Sequence, residues 1–285
     1  MSATTALRDS ARRTARRPMT VLVTALMVVF AVVMVAPYAF MAVSAFKPQG
    51  EIFATPLRFF PRQFTFESFS ALFSLLPYAR WYFNTLLVAV LGTALTLTIS
   101  SMAGFAFSKY EFRYKSLLFT LVLGTVLVPF QVLLVPQFQI VRLLGGFNSY
   151  WALVIPVAAN AFAVFLMRQY TLSVPDELLD AARVDGVGEF GLWWRIVVPL
   201  VRPGLAVVAT ITFLAYWNDF FWPLIVTTEP DMFLVNLGIA SLIGPFESQY
   251  GVLLAGALLA SLPLIVVFLF FQRHIIEGLT AGATK

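Results

Sequence analysis

The chain has 285 residues, of which 60% are hydrophobic, 15% aromatic and only 12% charged, and it carries a formal net charge of +5. Soluble domains carry about 45–50% apolar and about 25% charged residues, so this balance excludes a soluble globular protein. It also excludes a disordered chain, which needs low hydrophobicity. There is no Cys and a single His, His274. Disulfide scaffolds, thiolate or multi-histidine metal sites and Ser-His-Asp chemistry drop out with them. What remains is an all-α polytopic membrane protein.

Six stretches are apolar over the roughly 17–25 residues that a spanning helix needs. In chain order they are 20–46, 83–107, 116–138, 150–167, 204–226 and 251–271. Their apolar runs are continuous, unlike the alternating strands of a membrane barrel. The first follows a basic segment and contains Val43-Ser44-Ala45, which resembles a leader cleavage site. It is far longer than the roughly 7–15-residue core of a signal peptide, so it reads as a retained helix. Prolines 129 and 136 in the third stretch, Pro156 in the fourth and Pro263 in the sixth predict kinks. Asn218, Asp219 and Pro223 interrupt the fifth. The domain plan is a basic cytoplasmic segment at 1–19, a transmembrane domain at 20–272 with a cytoplasmic loop at 168–203, and a cytoplasmic tail at 273–285.

Lys and Arg set the orientation. Fourteen of the 19 lie in the N-terminal segment, the loops after the second and fourth stretches and the C-terminal tail, against five in the alternate loops. The first set is therefore cytoplasmic, with both termini inside. The basic N-terminus flanks a span and has no stacking platform beside it, so it reads as an orientation signal and not as a nucleic-acid site.

The 168–203 loop has structure of its own. Ser173 followed by Asp176 predicts a capping-box-like start, with Pro175 in the first turn. Leu178, Leu179, Ala182 and Val184 form an apolar stripe, and Gly186 predicts a C-terminal cap. A second short helix is expected across 189–197. Such an element reads either as an amphipathic helix at the membrane surface, with Trp193 and Trp194 at the headgroups, or as a docking element for a cytoplasmic partner. Acids at 176, 177, 180 and 185 disfavour an anionic surface.

Asp180-Ala181-Ala182, three residues, Gly186, nine residues, Ile196, one residue, then Val198-Pro199 resembles the signature loop of binding-protein-dependent ABC importer permeases. That signature has Glu at the first position and Leu before the final Pro. The tail Gly278-Leu279-Thr280-Ala281-Gly282-Ala283-Thr284-Lys285 is similar to that of the maltose-type, six-span carbohydrate permeases. Ser44-Ala45-Phe46-Lys47 with Glu51-Ile52-Phe53, Ala103-Gly104-Phe105-Ala106-Phe107, and Trp217-Asn218-Asp219-Phe220-Phe221-Trp222-Pro223 resemble the same subfamily.

The resemblance implies a permease subunit in a bacterial or archaeal inner membrane, carrying a sugar or oligosaccharide. Its implied partners are a second related permease, two ATPase subunits and an extracytoplasmic binding protein. No nucleic acid is involved. No catalytic residue, metal or cofactor is expected in this chain, and ATP and Mg belong to the ATPase. The chain holds no Gly-x-x-x-x-Gly-Lys-Ser/Thr phosphate loop. The implied ATPase-coupling residues are Asp180, Ala181, Ala182, Asp185, Gly186, Ile196 and Pro199. Gly244, Pro245, Phe246, Glu247, Ser248 and Gln249 are the candidates to meet the binding protein.

Polar and aromatic groups within the apolar stretches give the candidate substrate path: Asn84, Tyr216, Trp217, Asn218, Asp219 and Trp222. Aromatic faces beside amide and carboxylate groups suit a sugar. Helix–helix hydrogen bonding is the competing reading for Asn218, and an intramembrane acid such as Asp219 points to function. Asn160 reads as structural ahead of substrate-contacting. Gly251, Ala255, Gly256 and Ala260 read as a close-packing stripe. The alternatives in function are a glycerol-phosphate-type or other polar solute, or a secondary carrier, whose coupling ions would need more intramembrane ligands. An intramembrane enzyme lacks its paired groups.

Overall fold

The computed structural model describes residues 3–243 and 249–281, with side chains from 20 to 243 and from 249 to 270. Among the described residues every regular element is helical. Three helices are long and apolar enough to cross a membrane unbroken: Thr20–Ser44, Tyr78–Lys109 and Tyr250–Phe270. Three bent helix pairs pass the same test, and six spans result when each pair counts as one. The chain divides into one unit of residues 1–71 and 249–258 and a second of 72–248 and 259–285.

The first unit holds helix α1 (Ala3–Ser44), whose backbone continues without a break across 19–20. After it, Lys47 is 1% exposed, although its sequence neighbours gave no sign of burial. Its ammonium donates to the Arg58 carbonyl at 2.7 Å and lies 4.8 Å from the Phe40 ring centroid. Burial lowers its pKa, and Glu51 partly offsets this. Gln49 accepts from the Gly251 amide at 2.8 Å, so the small-residue stripe begins with a backbone contact.

Helix α2 (Glu67–Leu75) precedes α3 (Tyr78–Lys109), around which the second unit is built. Packed against α3 are α6 (Tyr150–Ala158), α7 (Ala161–Leu172) and α11 (Arg202–Asn218). Gly104 allows the closest approach. A Cβ there would stand 2.7 Å from the Arg168 amide nitrogen of α7. Small and hydroxylated residues (Thr85, Thr93, Thr96, Ser100, Ser101) fill the buried side of α3, as membrane helix interfaces require.

Prolines and one Asn set the breaks. Helix α4 (Lys115–Gly124) ends in a 3₁₀ turn, and α5 (Phe130–Leu143) follows at 103°. The predicted kink is thus a full corner. Val128, directly before Pro129, is forced to an extended ψ of 116°, which ends the helix. The fourth span bends by 52° where Asn160 caps α7, accepting from the Ala163 amide at 2.9 Å. The fifth span enters through a turn of 83° from the preceding loop helix.

In the 168–203 loop α8 spans Asp176–Val184. The expected capping box does not form, because Ser173 still belongs to the last turn of α7 and its hydroxyl donates to the Tyr170 carbonyl at 2.7 Å. Pro175, extended at ψ 138°, stands at the N-cap instead of within the first turn. The second loop helix is longer than 189–197. It runs as α9 (Glu189–Gly191), a π-helical stretch (Leu192–Val197) and α10 (Val198–Leu200). The wide turn precedes Pro199, which has no N–H for the Arg195 carbonyl and would clash with it in an α-helix. After α11, Asp219 is extended at ψ 134°, and α12 (Phe221–Val226) and α13 (Val235–Ala240) complete this part of the chain before α14 (Tyr250–Ala281).

Candidate functional site

The loop's first helix is held from below and open above. Leu179 and Ala182 are buried with Phe105, Met167, Leu192, Trp193 and Val197. Burying one such leucine contributes about 1.5–3 kcal/mol. The expected four-residue stripe therefore splits: Leu178 and Val184 are exposed. So are Asp180, Ala181, Asp185 and Gly186. The two alanines of the motif differ in job: Ala181 presents a smooth outer face, and Ala182 packs into the chain's own core. The two tryptophans differ too. Trp193 is buried and donates to the Ser101 hydroxyl at 3.2 Å, and Trp194 is exposed.

Gly186 closes the helix. Its φ is +81°, a conformation that costs an L-residue roughly 1–2 kcal/mol. Its amide donates to the Arg183 carbonyl at 3.0 Å, and the Val187 amide donates to the Ala182 carbonyl at 3.0 Å. Those two bonds are the Schellman pair, which satisfies carbonyls that the helix end would leave orphaned. Ile196 and Pro199 lie half-buried in the following helical run.

A polar brace ties the loop to the end of α3. Lys109 donates to the Asp176 carboxylate at 2.7 Å and to the Val174 carbonyl. Tyr110 donates to Glu189. Arg183 reaches Asp180 at 2.8 Å and Glu189 at 3.2 Å. The Arg183 hydrogen bond, and then the Tyr110 hydrogen bond, hold the Glu189 carboxyl below the usual carboxylate range. Glu189 in turn raises the Arg183 pKa further. Burial, then the bond to Glu189, pushes the Tyr110 phenol up. Sequence reading counted Lys109 and Arg183 only as orientation charges and missed Tyr110 and Glu189. The signal lay in four polar groups spread over 80 residues, with no local pattern to join them.

The substrate-path candidates fall into two sets. Asn84, Tyr216, Trp217 and Trp222 are buried, and every one of them has its polar group committed inside the chain. Asn84 donates to the Asp231 and Phe233 carbonyls at 2.7 and 3.0 Å and accepts from the Tyr150 hydroxyl at 2.7 Å. Tyr216 donates to the Val154 carbonyl at 2.9 Å, Trp217 to that of Ala260 at 3.0 Å and Trp222 to that of Ala152 at 2.7 Å. Together with Trp81, which donates to the Pro230 carbonyl at 2.7 Å, Asn84 moors the segment after α12 to α3.

Asn218 and Asp219 form the second set. Asn218 is exposed, its amide donating to the Leu214 carbonyl one turn back at 2.9 Å. Asp219 faces the amides of Phe220, Phe221 and Trp222, with the Trp222 amide 3.4 Å from its carboxylate. Here a short break places an exposed side-chain amide beside a half-buried carboxylate at the end of a span. Gln249 is exposed one residue before α14, and Gly244, Pro245, Phe246, Glu247 and Ser248 lie outside the described residues.

Residues 96–280 match the family of binding-protein-dependent transport system inner membrane components, and the chain belongs to that family. It is 37% identical over 258 residues to the arabinooligosaccharide transport permease AraQ of Halalkalibacterium halodurans, covering 90% of this chain and 92% of that one. To the lactose transport permease LacG of Rhizobium radiobacter it is 34% identical over 220 residues, covering 77% and 80%. In fold it is similar to a chain of a bacterial ABC transporter that imports the acidic polysaccharide alginate, with a TM-score of 0.83, 21% identity and coverage of 91% and 97%.

Proposed function

We propose that the chain forms part of the translocation path for a sugar or oligosaccharide in an ATP-driven importer. It takes the solute from an extracytoplasmic binding protein and works beside a second permease. It is driven by two cytoplasmic ATPase subunits, which carry the ATP and Mg. The carbohydrate reading is supported by similarity to arabinooligosaccharide and lactose permeases. A glycerol-phosphate-type solute has less support, and a secondary carrier has none from this family.

The observation that carries the coupling role is the geometry of α8. Its inner face is buried in the chain's own core, its outer face shows Leu178, Ala181, Val184 and Asp185, and Lys109 and Tyr110 brace it to α3. A partner that grips the outer face moves α8, the brace and α3 together. Closing of the ATPase pair on nucleotide would then bias a two-state, rigid-body switch of the spans between inward-facing and outward-facing. On this reading the loop, and with it both termini, is cytoplasmic, which the distribution of basic residues supports.

The test is uptake of a labelled sugar into vesicles holding the assembled transporter, with and without ATP inside and binding protein outside. Uptake is expected only with both. Movement of solute by this chain alone down an ion gradient would overturn the reading.

A further inference from the structure

We propose that a cleft at the loop-side rim of the membrane binds the phosphate of an anionic phospholipid, with its acyl chains laid along α4. Between α3 and α4 the chain turns at Tyr114, whose φ is +65°. Beside this turn lies a cavity of about 420 Å³ lined by the cations Lys115 and Arg168, one carboxylate, Glu111, and the rings of Phe107, Phe112, Tyr114 and Phe119, with Ser116. That volume lies within the roughly 300–1,000 Å³ typical of small-ligand sites.

Two cations face a single carboxylate, Glu111, which leaves a net positive charge. Arg168 donates through Nε to the Phe107 carbonyl at 3.1 Å, and its guanidinium lies 4.6 Å from the Phe119 ring centroid. Those contacts fix the guanidinium plane. Among the described residues no carboxylate lies within ion-pair distance of it. Lys115 is 18% exposed and pairs at 2.9 Å with Glu111, whose side chain is 89% exposed and well hydrated. Arg113, stacked 4.8 Å from the Tyr114 ring centroid, adds a third positive charge to the turn.

The apolar half of the ligand has its own place. Helix α4 has no buried residue, and Leu117, Leu118 and Leu121 are exposed along it directly beyond the cations. Phe112 and Tyr114 are exposed at the turn, the position where aromatic side chains meet headgroups. A phosphodiester oxygen pair matches the fork of a fixed guanidinium. A free phosphate would use the cations and leave the track bare, and a zwitterionic lipid would bring an ammonium into a basic turn. Basic pockets between spans are known as seats for anionic headgroups, worth about a fivefold change in affinity per cation.

The full-length chain, purified in mild detergent, is titrated with phosphatidylglycerol or phosphatidylcholine, and the retained lipids are counted by native mass spectrometry. One phosphatidylglycerol is expected to be held in preference to phosphatidylcholine. Its retention should fall about fivefold in Lys115→Gln and further in Lys115→Gln/Arg168→Gln. The single variant removes a side chain that pairs only with exposed Glu111, so it reports even if loss of Arg168 perturbs the fold. Equal retention in wild type and Lys115→Gln would overturn the proposal. So would equal retention of the two lipids, or displacement by inorganic phosphate at constant ionic strength, which marks a free-anion site. The readout needs neither nucleotide nor sugar, so its result stands apart from the transport reading.

Discussion

At Glu189 a carboxylate lies in the open and is held by two side chains, Tyr110 and Arg183. At Asp219 a carboxylate lies within the fifth apolar stretch and faces main-chain amides. The two acids differ in exposure, and their partners give them different freedoms as well. A side-chain partner can rotate away and be exchanged for one on another subunit. A main-chain amide moves only when the backbone moves. The loop is therefore built from exchangeable contacts on a rigid base, and the span break from fixed ones.

The largest effect should come from destroying the rigid base. Proline cannot adopt φ near +81°, so Gly186→Pro should reduce ATP-driven uptake at least a hundredfold while the protein still inserts. Uptake and membrane abundance, measured together, check this. Leu179→Ala should come next, destabilising the loop by about 2–5 kcal/mol through loss of buried volume, read as earlier protease cleavage near 176–190. At the span break, Asp219→Ala should lose about 1 kcal/mol of helix-start stabilisation and several-fold in uptake, and Asp219→Asn should retain most of both. Equal loss in the two would show that the charge matters and not the cap, and would move Asp219 into the substrate path.

Smallest should be Glu189→Gln, a surface contact whose loss changes the ratio of uptake to ATP hydrolysis by no more than about fivefold. Its pH profile gives it away. The Glu189 carboxyl is depressed, so the brace is fully present above the ordinary carboxylate range and is lost as pH falls through the lowered value. Wild type should lose that few-fold of coupling in the acid window, and Glu189→Gln should show the loss already and stay flat across it.

Helix α8 was legible in the sequence because its information is local: an acid, two small residues and a glycine at fixed spacing across the helix and its cap. Even there Ser173 misled, since a hydroxyl between two helices can serve either one, and here it caps the end of α7. The brace was illegible because Lys109 and Tyr110 stand 67 and 79 residues from their partners. Pro129 announced a break, but its angle of 103° depends on what α5 packs against. Asn84 looked like a pore residue because an amide at depth demands partners. Its partners lie 66, 147 and 149 residues ahead, and two of them are carbonyls that any residue supplies.

That last point reaches beyond folding. Trp81 and Asn84 grip positions 230, 231 and 233 through their carbonyl oxygens, and the Trp81 ring also lies 6.3 Å from that of Phe233. The hydrogen bonds do not read the side chains of Pro230 and Asp231, so those two positions can be rewritten and still tie up at the same berth, whereas Phe233 meets the Trp81 ring and Leu234 is buried. A permease built this way can acquire a new surface there without renegotiating its frame, and positions 230 and 231 are where an engineer should begin.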